Sequence, residues 1–143
     1  MNSLLYQVER VHQQGRPDLF KEVAKKYTDN ELKDMLKDKT KPIFAAVDEN
    51  DVMKGYAFCI FQEHKGDNVL TDIKTLYIDD LCVDENCRGQ HIGSVLYEAV
   101  KKFAKEQGCY NVTLNVWECN PSARKFYEKA GLKPYKTGME VIL

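Results

Sequence analysis

An apolar, strand-like run over residues 71–83 leads into the loop Arg88-Gly89-Gln90-His91-Ile92-Gly93-Ser94, and an amphipathic helix pattern over residues 91–107 follows at once. A strand feeding a helix through a glycine-bearing loop commits the chain to a sheet with a helix packed across it. The helix carries Val95, Leu96, Ala99, Val100, Phe103 and Ala104 on one face to make that contact. The same arrangement brings unpaired backbone N–H groups and the positive end of a helix dipole to one point. An anion belongs there: each amide bonded to a charged oxygen contributes about 1.5–3 kcal/mol net, and Arg88 adds a charge-assisted contact. Several such bonds would hold a pyrophosphate. A turn that merely needs glycine at two positions explains the same residues equally well. No GKS or GKT follows, which excludes a P-loop, and the antiparallel character of the preceding strands disfavours a dinucleotide fold.

Upstream, residues 2–14 place Leu4, Leu5, Val8, Val11 and His12 at helical spacing, and Gly15 with Pro17 ends the pattern. Pro17 followed by Leu19, Phe20, Val23 and Ala24 predicts a second helix. Thr28-Asp29-Asn30-Glu31 caps a third, short one reaching about Lys39. Beyond Pro42 the apolar runs shorten: residues 43–47, 52–62 and 71–83 read as strands of an antiparallel meander, with Asp48-Glu49-Asn50-Asp51 and Lys65-Gly66-Asp67-Asn68 as turns. Gly108 stops the long helix. A strand over 110–117, a helix over 121–130 behind Asn120, and a terminal pair of short strands over 133–143 complete the pattern. The fold class is α/β (α+β), a mixed, mostly antiparallel central sheet flanked by helices on both faces, and 143 residues fit one domain.

Composition narrows the function. Apolar residues at 43% and charged residues at 30% are ordinary for soluble proteins, and no run of about 18 uncharged apolar residues or charged-then-apolar leader is present. A cytoplasmic location and no membrane partner are expected. The net charge of −1 argues against a nucleic-acid partner. Five cysteines without a CxxC pair favour small buried hydrophobes in a reducing compartment over a metal site or a disulfide framework.

The run from Leu76 to Leu96, Leu-Tyr-Ile-Asp-Asp-Leu-Cys-Val-Asp-Glu-Asn-Cys-Arg-Gly-Gln-His-Ile-Gly-Ser-Val-Leu, resembles the acetyl-coenzyme A motif of the GNAT superfamily of N-acetyltransferases, whose loop reads Arg/Gln-x-x-Gly-x-Gly/Ala. A second run, Asn120-Pro-Ser-Ala-Arg-Lys-Phe-Tyr-Glu-Lys-Ala-Gly131, resembles the family's Asn-x-x-Ala-x-x-Phe-Tyr-x-x-x-Gly segment. The resemblance implies acetyl-coenzyme A as cosubstrate and no metal. It implies that Leu81, Cys82 and Val83 offer backbone groups to the pantetheine arm where two parallel strands splay apart. It further implies that Gly89, Gln90, His91, Ile92, Gly93 and Ser94 cradle the pyrophosphate with Arg88 in support. Asn120 and Ala123 then contact the cofactor, and Tyr127 directs its hydroxyl at the thioester sulfur as general acid. An ordinary tyrosine on the apolar helix face beside Phe126 is the plainer reading of Tyr127.

Asp79 and Asp80 are adjacent in a strand, so they should point to opposite faces of a sheet covered on both sides. At least one carboxylate is then partly buried, which is costly without a partner or an open cleft. A cleft for a cationic amine resolves this, and so does a carboxylate that caps backbone or pairs with a lysine. The spermidine/spermine acetyltransferase branch has a comparable Tyr-Leu-Glu-Asp segment where Tyr77-Ile78-Asp79-Asp80 stands, which implies Asp79 as base, directly or through a water, and Asp80 toward the substrate. His12, Arg16 and Tyr6 on one wall, and Trp117 with Glu118 on another, are further acceptor-site candidates. Together these imply direct attack of a primary amine, that of a small amine, polyamine or amino acid, on the thioester. A peptide amine as acceptor, or a non-catalytic acyl-coenzyme A sensor, are the alternatives.

Two departures from the family pattern stand out. His91 occupies a loop position that is usually glycine: at positive φ it would cost about 1 kcal/mol or more, whereas in ordinary helical backbone its imidazole sits beside the phosphates, and we expect the latter. The family's usual first edge strand is also missing: either the chain is truncated, or the sheet tolerates the loss, or a partner copy in a homodimer covers the exposed edge.

Overall fold

A computed structural model describes residues 1–22 and 25–143. Helix α1 spans Asn2–Gly15 and α2 Asp29–Met35; strands β1 (Ile43–Val47), β2 (Met53–Glu63) and β3 (Lys74–Val83) follow, then α3 (Ile92–Glu106), β4 (Asn111–Leu114) and α4 (Pro121–Lys129). The sheet runs β1-β2-β3-β4 in chain order, antiparallel except for the parallel pair β3/β4. The mixed, helix-flanked sheet is as the sequence implies.

Local chemistry fixes the element ends. Thr28 caps α2 in a reciprocal box, its hydroxyl accepting from the Glu31 amide while the Glu31 carboxylate accepts from the Thr28 amide. The Asn120 side chain accepts from the Ala123 amide at 3.2 Å and Pro121 follows at the first helical position, so α4 starts where its sequence demands. Asp84 accepts from the Asn86 amide at 3.0 Å and sets the short 3₁₀ turn Glu85–Cys87, which α1 holds through Arg10–Glu85 and through Gln7, whose side chain accepts from the Glu85 amide.

The two faces of the sheet bury different clusters. Leu4 and Leu5 of α1, with Leu32 and Met35 of α2, cover Tyr56, Phe58 and Cys82. Tyr97, Val100 and Ala104 of α3 cover Ala57, Cys59, Leu76 and Ile78 on the other. This partition exposes an irregularity in β3. Tyr56 opposes Cys82 and Phe58 opposes Asp80, but Cys59 opposes Ile78, so Asp79 is an extra residue without a partner on β2. Such a β-bulge shifts the alternation by one and bends the strand. Leu76 and Ile78 therefore face α3, whereas Cys82 faces α1. Pairing with β4 stops at Ile78↔Leu114, immediately before the bulge. Beyond it, β3 and β4 part.

Four expectations need correction. The strand expected over 110–117 ends at Leu114 because its partner turns away at the bulge. No helix forms over the described part of 17–24: Leu19 and Phe20 both donate to the Arg16 carbonyl, at 3.0 and 3.1 Å, and form a turn, because Phe20 packs on His12 and Trp117 instead of on a helix face. Val23 and Ala24 lie outside the described residues. The helix expected to reach Lys39 stops at Met35. Residues 133–143 form no strands; they make no backbone hydrogen bonds among the described residues, and a strand exists only where such a ladder forms.

His91 is also corrected. It precedes α3 at φ 60°, ψ 15°, in the left-handed region and not in helical backbone, at a cost of about 1 kcal/mol. The geometry of the loop requires it, since the chain must turn from Gly89, at φ 82°, into the first turn of α3.

Gly55 seats that turn on the sheet. A β-carbon there would stand 2.9 Å from the Cys82 carbonyl oxygen and 3.0 Å from Leu96 Cδ1. Gly55→Ala is expected to lower stability by about 1–3 kcal/mol, read as a shift in urea unfolding midpoint, and to weaken cofactor binding in parallel because α3 must lift. A wild-type midpoint would mean that α3 does not rest on this strand.

Candidate active site

A cleft of about 590 Å³ opens between the parted strands, bounded by α1, the Arg88–Ser94 loop and α4. Leu81, Cys82, Val83, Arg88, Gly89, His91, Ile92, Gly93, Ser94, Asn120, Ala123, Tyr127 and His12 all line it. Gln90, Trp117, Asp79 and Asp80 do not. Trp117 reaches the cleft indirectly: with Phe20 it forms an edge-to-face pair at 5.2 Å, and its ring lies 6.5 Å from that of His12. Arg16, exposed to sequence suspicion as an acceptor contact, is instead clamped by Asp18 and Glu140.

The start of α3 is built for an anion. The first amide bonded inside the helix is that of Val95, which donates to the His91 carbonyl at 3.0 Å, and His91 supplies no side-chain cap. The amides of Ile92, Gly93 and Ser94 are left without helical partners at a cleft that Arg88 also lines. Residues 81–83 have no strand partner on their β4 side, so their outward backbone groups are open to a ligand that continues the sheet. These two features fit a pyrophosphate with an extended amide-bearing arm.

Eight cleft residues are not among the site residues expected from the sequence: Gln7, Val8, Val11, Cys87, Ser122, Phe126, Lys129 and Ala130. Gln7 shares a helical face with Leu4 and Val8, and helical periodicity was the available signal; its side-chain amide ties α1 to the Glu85 turn. Phe126 stacks edge-on with Tyr127 at 5.1 Å and lies against Gly93, which brings α4 over the start of α3.

The two aspartates sit in different surroundings. Asp79 accepts a short hydrogen bond from the Tyr27 hydroxyl and lies 3.1 Å from Lys26 Nζ. Asp80 accepts from the Tyr56 hydroxyl at 2.7 Å. Tyr27 and Tyr56 both pack on Phe58, at 5.5 and 4.5 Å. The bulge thus turns both carboxylates toward one aromatic wall, whereas regular alternation would have sent them to opposite faces.

Burial pushes the Asp80 carboxyl up to about 6, against the hydrogen bond from Tyr56 and the charge of Lys26, which favour ionisation. Burial and then the charge of Asp80 raise the Tyr127 hydroxyl, which stays protonated at neutral pH. The same two causes push the Cys82 thiol up to about 12, so it is no thiolate nucleophile. Burial lowers the His12 imidazole, with Glu9 opposing and Lys26 acting in the same direction as burial.

The family model for the acetyltransferase (GNAT) family matches residues 6–132. The chain belongs to the GNAT acetyltransferase family. A glucosamine 6-phosphate N-acetyltransferase of Arabidopsis thaliana is 36% identical over 59 residues, 41% of this chain and 38% of that protein. One of Candida albicans is 37% identical over 60 residues, 42% of this chain and 38% of that protein. The chain thus matches less than half the length of these curated relatives. Among solved structures, a mutant of the BH1408 protein of Bacillus halodurans superposes with a TM-score of 0.94 at 28% identity, over 99% of this chain and 90% of that one. In GNAT terms, the loop motif and the Asn120–Tyr127 segment face each other across one cleft.

The raised Asp80 carboxyl has a stability consequence. An unfolded aspartate titrates near 3.9, so the folded protein takes up a proton between about 3.9 and about 6, and this group's contribution to stability falls as pH rises through that window. Asp80→Asn, which keeps an oxygen for Tyr56, is expected to stabilise the protein at pH 8 by on the order of 1–3 kcal/mol and to change little at pH 4. Urea unfolding at the two pH values measures it; a larger gain at pH 4 would contradict the assignment.

Proposed function

We propose that residues 1–143 form one acetyl-coenzyme A-dependent N-acetyltransferase domain that acetylates the primary amine of a small molecule. The observation that carries this reading is the meeting, in one cleft, of unbonded amides at the start of α3, the open backbone of residues 81–83 and the protonated Tyr127 hydroxyl. Acetyl-coenzyme A supplies an activated acyl carbon and a thiolate leaving group. The Arg88–Ser94 loop holds its pyrophosphate, and residues 81–83 align its arm so that the acyl carbon lies beside the acceptor; orientation of this kind contributes much of the acceleration.

Of the two aspartates, Asp80, next to Leu81 of the cleft wall, is the one left without a cation on its carboxylate among the described residues and serves as base. Its raised pKa matches a proton acceptor working near neutrality, whereas Asp79 is held by Lys26 and Tyr27. Asp80 takes the proton of the acceptor ammonium, directly or through a water, and the freed nitrogen lone pair attacks the acyl carbon. As the carbon–sulfur bond breaks, Tyr127 donates its proton to the sulfur, and the second proton that the acylated nitrogen sheds returns through water to the Tyr127 oxygen. The inert Cys82 supports this direct route over an acyl-cysteine. The relatives named as glucosamine 6-phosphate N-acetyltransferases support an amino sugar phosphate as the first acceptor to assay.

Thiol release from acetyl-coenzyme A across a panel of amino sugars, amino acids, polyamines and peptides tests the function. Release is expected with at least one small amine, and binding without release on any acceptor would leave an acyl-coenzyme A sensor in its place. With the best acceptor, Tyr127→Phe is expected to lower kcat by about 10²-fold with little change in KM for the acetyl donor. Unchanged turnover under chemistry-limited conditions would remove Tyr127 from the acid role.

A further inference from the structure

The bulge leaves the Asp79 carbonyl outside the β2/β3 ladder. Its oxygen and the carboxylate of the same residue converge on one point, and Tyr27 polarises the carboxylate by donating to it. Two such oxygens in a partly buried notch recognise an ammonium group. In this chain the ammonium is the protein's own. Lys26 Nζ donates to the Asp79 carbonyl at 2.8 Å and stands 3.1 Å from its Oδ2, with side-chain exposures of 32% for Lys26 and 16% for Asp79.

The notch lies beside the cleft: Asp79 stands two residues before Leu81, and Tyr27 packs on the same buried cluster as Val8, both Leu81 and Val8 lining the cleft. Within the notch Lys26 meets the Asp79 carbonyl and carboxylate, and Tyr27 meets that carboxylate; the charge of Lys26 also acts on Asp80 and on His12. Two adjacent aspartates in the central strand suggest a site for a polycation, yet Asp79 already carries a lysine, and Asp80 is tied to the Tyr56 hydroxyl at 2.7 Å. The charge that a second ammonium would seek at Asp79 is compensated within the chain.

We propose that Lys26 is a specificity-determining residue: its ammonium fills the notch at the Asp79 bulge that a second amino group of a polyamine would otherwise occupy. The chain therefore rejects polycationic acceptors and takes amines whose remaining groups are neutral or anionic. This rests on the N-acetyltransferase reading for its consequence in turnover, but the filling of the notch is testable by binding alone.

Spermidine binding to the full chain, measured by isothermal titration calorimetry, decides it. Lys26→Gln keeps an amide donor for the Asp79 carbonyl while removing the charge, and is expected to bind spermidine at least about 10-fold more tightly than wild type, the equivalent of one recovered charge contact. Lys26→Arg should match wild type, and Asp79→Asn added to Lys26→Gln should abolish the gain. Unchanged spermidine affinity in a Lys26→Gln protein with an intact thermal melt overturns the proposal. So does failure of both Lys26→Gln and Lys26→Met to fold while Lys26→Arg folds, since Lys26 would then be only a peg for the bulge. In turnover, Lys26→Gln should raise the kcat/KM ratio of spermidine over glucosamine 6-phosphate by a similar factor and move the rising limb of the kcat/KM profile to higher pH, because Asp80 loses a stabilising cation. A wild type that acetylates no amine defeats the N-acetyltransferase reading, and the calorimetric comparison still decides the role of Lys26.

Discussion

The extra residue in β3 is the constraint on which the rest of the site depends. A regular strand would have carried the pairing with β4 past Leu114 and closed the sheet where the cleft now opens. Asp79 breaks the alternation, bends β3 away and frees the backbone of residues 81–83 on the β4 side. It also swings both carboxylates toward the tyrosines that pack on Phe58. One inserted residue thereby creates the opening, its lining and its electrostatics.

Around that opening the chain sets groups of opposite character against each other. The positive end of α3, left without a side-chain cap, faces the cleft from one side. The Asp80 carboxyl and the Tyr127 hydroxyl are both raised by burial, and the charge of Asp80 raises Tyr127 further. The strain at His91 and the destabilising burial of Asp80 are local costs that this arrangement carries, in line with the tendency of functional sites to depart from the most stable choice.

Most of the fold is legible in local pattern. The loop and amphipathic face of α3, the capping box of α2, the Asn120 cap of α4 and the strand-forming runs of β1 and β2 all follow from interactions within a few residues. The segments that were misread are those whose state depends on a distant partner. Leu19 and Phe20 fall with Val23 and Ala24 at helical spacing in the sequence, but Phe20 is claimed by His12 and Trp117. Residues 133–143 have the composition of strands, but among the described residues they form no backbone ladder with any strand.

By itself the sequence picked out the unpaired amides at the start of α3 and the capping Asn120 of α4, because both are short-range features, whereas Tyr127 was singled out by the resemblance to the GNAT motif. It also determined that two carboxylates would stand side by side in a central strand. Only the tertiary structure decided what those carboxylates do. A bulge is a mismatch between two strands and has no signature in either one alone, so the shared face of Asp79 and Asp80, the hold of Lys26 on the first and the raised pKa of the second emerge only when β2, β3 and the segment before α2 are brought together.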